Sequence, residues 1–184
     1  MLQKLLLKTV KELDKSKIPY IVIGGQAVNI YGIVRATQDI DITLGIDITQ
    51  IDELKKIIDK LKLKYVKDNP DEFAKQFWIM PVYDLKSKIK IDFAFSFSPF
   101  EKAAISRAVV KKINNKQVRF CSLEDLIVFK IIAGRPLDLY DVRNILLLNI
   151  NLDKKYIFKW LKMFEQTTGE NYIERLEKIT ASIK

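Results

Sequence analysis

"GGQAVNIYGIVRATQDIDITL", residues 24–44, holds a glycine pair and, further on, two aspartates one residue apart in an apolar run. Side chains alternate between the two faces of a strand. A strand over 39–44 therefore sets Asp39 and Asp41 on one face and Ile40, Ile42 and Leu44 on the other. Like charges on one face repel, so the arrangement calls for a neutralising partner. The segment "IKIDFAF", residues 89–95, repeats the pattern. There Ile89, Ile91, Phe93 and Phe95 point one way, and Lys90, Asp92 and Ala94 point the other. If the two strands are neighbours, Asp39, Asp41 and Asp92 meet on the open face of a sheet. Oxygen-only ligands suit Mg²⁺ or Mn²⁺ bridged to substrate phosphates. Two such ions clamp an in-line phosphoryl displacement. The plain alternative is a solvated strand face.

What the chain lacks narrows the chemistry. It has no histidine and one cysteine, Cys121, among 184 residues. That excludes a Ser-His-Asp triad, a Cys-His pair, a multi-cysteine zinc site and an internal disulfide. A general base must then be a carboxylate, Lys, Tyr or water. No apolar run approaches the roughly 20 residues of a membrane span. The lysine-punctuated N-terminus does not read as a signal peptide, so a cytoplasmic location is expected. The net charge is +9, and residues 86–119 hold nine Lys or Arg against Asp92 and Glu101 alone. Such a stretch favours an anionic partner, phosphate or nucleic acid. The alternative is a lysine-rich solvated surface.

The rest of the chain falls into two parts. Apolar spacing predicts a helix over 2–15, a buried strand running into Gly24-Gly25, and a short helix over 26–32. The strand over 39–44 leads to a helix within 47–62, for which Thr49 is a candidate N-cap. Strands are expected around 63–67, 74–82 and 88–97, a short helix over 99–106, and a hairpin 108–120 turning at Asn114-Asn115. From Ser122 onward the pattern is helical: 122–134, 136–149, 153–169 and 170–184. The expected class is α+β: a mixed, twisted sheet with flanking helices over 1–120, then a helical bundle over 121–184 packed on it. Glycine lets backbone approach a phosphate closely, and a helix start offers N–H groups to it.

Taken together, Gly24-Gly25, then after thirteen intervening residues Asp39-Ile40-Asp41-Ile42, and later Ile91-Asp92-Phe93, resemble the DNA polymerase β-like nucleotidyltransferase superfamily. "SLEDLIVFKIIAGRPLDLYDVRNIL", residues 122–146, is similar to the helical region of its small AbiEii/MNT-like branch. The resemblance covers about 20–146. It implies a mixed sheet with flanking helices and transfer of a nucleoside monophosphate from an NTP to an acceptor hydroxyl, with release of pyrophosphate. It further implies Mg²⁺ or Mn²⁺ on Asp39 and Asp41, Asp92 completing the triad and helping to activate the acceptor, and Gly24 and Gly25 around the nucleotide phosphates. Lys130 would contact the triphosphate. Many members carry Ser where Gly25 stands, so only backbone contacts are offered there. Arg35 is placed to meet a phosphate or to pair with the carboxylates. Asp138, with Asp141 on the same helical face after Arg135, is read either as a nucleotide-site residue or as part of a structural ion-pair set. Lys130 has a surface reading too, as a snorkelling lysine. The acceptor stays open among tRNA, a protein and a small hydroxylated molecule, as does the oligomeric state, a homodimer included. Two competing readings are a non-catalytic nucleotide- or RNA-binding relative and a toxin–antitoxin component.

Overall fold

The structure is a computed structural model and describes residues 1–148 and 151–183. Helix α1 (Leu2–Lys15) precedes strand β1 (Tyr20–Val22), helix α2 (Gly24–Ile30) and strand β2 (Asp39–Leu44). Helix α3 (Ile51–Leu61), strand β3 (Leu63–Tyr65), helix α4 (Pro70–Phe77), strand β4 (Ile79–Asp84) and strand β5 (Lys90–Phe95) follow. Then come α5 (Pro99–Ser106), β6 (Val109–Ile113) and β7 (Lys116–Phe120). Four helices close the described chain: α6 (Leu123–Ala133), α7 (Pro136–Leu147), α8 (Lys154–Thr168) and α9 (Tyr172–Ala181). Among the described residues no helix is long and apolar enough to cross a membrane.

The strands form one mixed sheet in the order β3-β4-β5-β2-β1-β7-β6. β2 and β5 are parallel neighbours, as the paired aspartate strands require, with Ile40 opposite Ile91 and Asp41 opposite Asp92. Alternation explains which face is buried. Ile40, Ile42, Leu44, Ile91, Phe93, Met80 and Val82 are buried, whereas Asp39, Asp41, Asp92 and Ala94 are only partly so. Helix α1 contacts α3, β2 and β7, so its Leu6, Val10 and Leu13 enter the same core. Burying a Leu, Ile or Phe side chain is worth roughly 1.5–3 kcal/mol. A one-residue slip of β2 would turn Ile40 and Ile42 outward and the aspartates into the core. Hydrophobic burial thus fixes the register that aligns the carboxylates.

Local signals account for the element ends. Asn114 and Asn115 both adopt positive φ, 46° and 61°, which suits a tight hairpin between β6 and β7. Ser122 Oγ caps α6 by accepting from Asp125 N–H, and Gly134 ends that helix in the left-handed region. Two expectations are corrected. Residues 74–82 are not one strand: α4 occupies 70–77 and β4 begins at Ile79. Pro70 at the first turn, followed by Asp71 and Glu72, starts a helix that Trp78, at φ 57°, then stops. The cap before α3 is not Thr49; Asp47 accepts the Thr49 N–H over a 3-10 turn, and the helix proper starts at Ile51.

The basic run also divides. Lys86, Lys88 and Lys90 lie on the β4–β5 hairpin, while Lys111, Lys112, Lys116 and Arg119 lie on β6 and β7 at the opposite side of the sheet. Proximity in sequence had merged two separate surfaces.

Candidate active site

Gly24, Gly25, Arg35, Asp39, Asp41, Asp92, Lys130 and Asp138, the residues singled out from sequence, line one cavity of about 300 Å³, together with Arg135 and Leu137. Larger hollows lie elsewhere among the described residues, two of them of about 480 Å³, one mostly apolar and one lysine-lined, and neither of these two holds a carboxylate cluster. The carboxylate wall comes from β2 and β5. The opposite wall is cationic and comes from the loop before β2 and from α6 and α7.

Gly24 shows why the chain uses glycine there. Its φ is 64°, and a Cβ would collide with the Asp41 carboxylate. A Cβ on Gly25 would meet Arg35 Nη1 and would stand 2.8 Å from Thr37 Cβ. The first turn of α2 therefore sits against both Asp41 and Arg35 only because side chains are missing. Asn29, one helical turn further along, clamps the backbone of Arg35: its Nδ2 donates to Arg35 C=O at 2.9 Å, and its Oδ1 accepts from Arg35 N–H at 2.8 Å.

Burial and like-charged neighbours both act on Asp41. Its carboxyl is pushed up from 3.8 to about 6, first by burial and then by Asp39 and Asp92; Arg135 and Lys130 pull the other way. Asp39 Oδ1 accepts from Thr37 Oγ1 at 3.0 Å. Asp92 Oδ1 is buried without a hydrogen bond, and Lys90 Nζ stands 3.3 Å from it as an ion-pair partner. Among the described residues, no three acidic side chains converge into a ready-made ion cluster. The chemistry of the donors nonetheless suits a hard divalent cation. All are carboxylate oxygens, one lacks a hydrogen bond, and Asp41 is destabilised by negative neighbours that such an ion would offset.

The cationic wall is held by buried ion pairs. Lys130 is 3 % exposed, so the surface reading of this lysine is set aside. Its Nζ donates to Asp141 Oδ2 at 2.6 Å and to Asp138 Oδ1 at 3.2 Å. Arg35 Nε lies 3.3 Å from the same Asp141 oxygen, so Arg35 pairs with Asp141 rather than with Asp39 or Asp41. Burial pushes Asp138 up, but Arg135 and Lys130 outweigh that and hold its carboxyl below the usual range. Arg135 Nε donates to Asp138 Oδ2 at 2.6 Å, with the arginine side chain otherwise mostly in solvent. Asp138 thus reaches the cavity wall with both oxygens engaged by cations. Asp141, at 1 % exposure, lies behind it and joins α6, α7 and the loop before β2.

Asn29, Arg135 and Leu137 escaped the sequence reading as site residues. Arg135 had a legible signal: it stands directly before Pro136, where α7 starts, three residues from Asp138. Asn29 had none, because its role is a contact across a loop.

A family model described as "Nucleotidyltransferase of unknown function (DUF6036)" matches residues 2–184. The chain therefore belongs to that nucleotidyltransferase family. No curated protein matches it in sequence. Among solved structures, the antibiotic-resistance factor ANT(2'')-Ia is similar in fold, with a TM-score of 0.56, 15% identity, and coverage of 98% of this chain and 89% of that one. An antigenic nucleotidyltransferase-like protein from Paracoccidioides brasiliensis gives a TM-score of 0.56 at 18% identity, covering 94% and 92%. The lincosamide antibiotic adenylyltransferase LnuA, solved with lincomycin bound, gives 0.53 at 16% identity, covering 77% and 94%. The α+β fold expected from sequence is that of these nucleotidyltransferases.

Proposed function

We propose that this nucleotidyltransferase is metal-dependent and moves a nucleoside monophosphate from an NTP to an acceptor hydroxyl, releasing pyrophosphate. The observation that carries the reading is the register of Asp41 opposite Asp92, beside Gly24 and facing the cationic wall of Arg35, Lys130 and Arg135 across one cavity. One wall suits a cation and the other suits phosphates.

Asp39 and Asp41 would hold Mg²⁺ or Mn²⁺, with Asp92 completing the set. When bound, the ion neutralises the phosphate charge and makes the α-phosphorus more open to attack. The chain's own groups do the rest. Gly24 and Gly25 let the triphosphate approach the backbone, and Lys130, Arg35 and Arg135 orient it. Asp92 accepts the proton of the acceptor hydroxyl. The hydroxyl oxygen then bonds to the α-phosphorus, the bond to the bridging oxygen breaks, and pyrophosphate leaves with that electron pair.

Residues 1–120 serve as the α/β core in this account and 121–184 as the helical region that closes the nucleotide side, through α6 and α7. The Lys130, Asp138 and Asp141 set supports placement in the small AbiEii/MNT-like branch, and the lack of a membrane-length helix among the described residues is compatible with a cytoplasmic enzyme. The test is pyrophosphate release from each NTP with Mg²⁺ or Mn²⁺, compared with Asp41→Asn. Release that needs both the ion and Asp41 supports the reading; release indifferent to Asp41 contradicts it.

A further inference from the structure

The open face of the sheet continues past the carboxylates toward the β3 edge, and its side chains form a row. Lys64 on β3 is the register partner of Tyr83 on β4; Tyr83 is the partner of Lys90 on β5; Lys90 is the partner of Asp39 on β2. Directly paired residues share a face, so Lys64, Tyr83, Lys90 and Asp39 lie side by side on the carboxylate face. Neighbouring strands are about 4.8 Å apart, so the row runs roughly 14 Å from Lys64 to Asp39. Lys64 and Lys90 are exposed, and Tyr83 is half-buried with its ring 5.9 Å from the Nζ of Lys88, also exposed. The next row holds Pro81, Asp92 and Asp41, which puts the track beside the acceptor-activating carboxylate. The cationic wall of the cavity lies instead on α6, α7 and the loop before β2. Nucleotide and acceptor therefore have separate approaches.

We propose that this row, Lys64–Tyr83–Lys90 with Lys88 over the ring, is the acceptor track for a single-stranded nucleic acid, whose terminal hydroxyl is delivered to Asp92 and Asp41. The inference rests on the nucleotidyltransferase reading above. Three exposed lysines along and beside this row match a phosphate backbone, and the Tyr83 ring among them gives a base a face to stack on. A small hydroxylated acceptor has no use for a row of this length. Lys90 adds a coupling: with no strand bound, its Nζ rests 3.3 Å and 3.4 Å from the two Asp92 oxygens. A strand phosphate competes for that ammonium and leaves Asp92 free to take the hydroxyl proton. The transfer forms one bond from the strand's hydroxyl oxygen to the α-phosphorus and breaks one to pyrophosphate.

The test uses the full chain and a fluorescein-labelled twelve-nucleotide single-stranded RNA with a free 3′-hydroxyl. Binding is followed by anisotropy over a KCl series in EDTA without NTP, so that it is independent of catalysis. Lys64→Glu/Lys88→Glu and Tyr83→Ala are compared with the wild type and with Lys111→Glu/Lys112→Glu on the far edge. The expected result is a loss of about tenfold or more for Tyr83→Ala. The Lys64/Lys88 pair is expected to flatten the log–log salt slope by about 1.4, while the far-edge pair binds as wild type does. A parallel assay follows transfer of label from α-labelled NTP to the RNA, to a small hydroxylated aminoglycoside and to a protein extract. Binding that survives the row variants but falls with the far-edge pair overturns the track. Label passing to the small molecule or to protein and not to RNA overturns it too, with the transferase reading intact. No label transfer to any acceptor, with RNA binding still lost in the row variants, leaves the track standing and tells against the transferase chemistry instead.

Discussion

Asp41 on β2 and Asp92 on β5 are direct register partners in a parallel pair, with both carboxylates on the open face of the sheet. Adjacent like charges at a half-buried position raise the energy of the ionised form. The chain keeps them there through the apolar residues between them, Ile40 and Ile42 opposite Ile91 and Phe93, which hold the register from the other face.

This strain has a pH signature. The Asp41 carboxyl rises from 3.8 to about 6 on folding, with burial the largest cause and Asp39 and Asp92 next. A raised folded value adds stability below the unfolded value, and that stability is lost as pH rises through about 6. In EDTA, wild type should therefore lose stability between about pH 4 and 6, and Asp41→Asn should not. At pH 7.5 the variant should be the more stable of the two, by on the order of 3 kcal/mol at most. Urea melts at several pH values measure this, and an Asp41→Asn protein less stable than wild type in EDTA contradicts the account.

Gly24→Ala puts a methyl group into the Asp41 carboxylate at a backbone φ of 64°. The expected cost is about 1 kcal/mol or more, with a larger loss of nucleotide binding, because Asp41 must move. Calorimetric titration with a non-hydrolysable NTP separates the two effects. Gly32→Ala serves as a comparison, because a Cβ there has no neighbour within 4 Å although φ is 88°. It should show the backbone cost without the binding loss.

Lys130→Met leaves Asp138 and Asp141 buried beside a missing cation. Removing one partner of a buried ion pair costs about 3–5 kcal/mol. Adding Asp141→Asn to that variant should recover part of the loss, since the uncompensated charge is then gone. A double-mutant cycle by urea denaturation reads the coupling; additive losses would show that the two groups do not interact.

Glu12 ties α1 to α3, with Lys60 Nζ 2.6 Å and Lys15 Nζ 2.9 Å from its oxygens. Lys60 first, then Lys15, lowers its carboxyl from 4.5 to about 2. A lowered folded value adds stability above the unfolded one, and this is lost as pH falls from about 4.5 toward 2. Glu12→Gln should be less stable than wild type at neutral pH, with the gap closing over that acid window. A gap that stays constant down to pH 2 would assign the role of Glu12 to packing alone.

The carboxylate face was legible because period-2 alternation is a strong local pattern: Asp41 and Asp92 each stand between two apolar residues suited to a core, and Asp39 lies two residues before Asp41 on the same face. The glycine pair and the capped helix after Ser122 were legible for the same reason, each being a signal carried within a few residues. Long-range pairing was not. Lys130 has an ordinary helical sequence around it, and only the fold shows that Asp138, Asp141 and Arg35 surround it. The 74–82 segment misled because aromatic and apolar residues suit a strand, while Pro70 and the two acids after it start a helix that Trp78 ends. The basic run misled in another way, since neighbours in sequence at 86–119 lie on opposite sides of the sheet.

The most direct measurement of the central claim is pyrophosphate release by the wild type and by Asp92→Asn, with each of the four NTPs, in Mg²⁺ and in EDTA, with the single-stranded RNA acceptor and with small hydroxylated acceptors. The account predicts release that requires Mg²⁺, is selective for an acceptor, and falls by about a hundredfold or more in Asp92→Asn, the order of loss expected when a positioned general base is removed. Equal release by Asp92→Asn, or release undiminished in EDTA, would contradict a metal-dependent transfer built on these carboxylates.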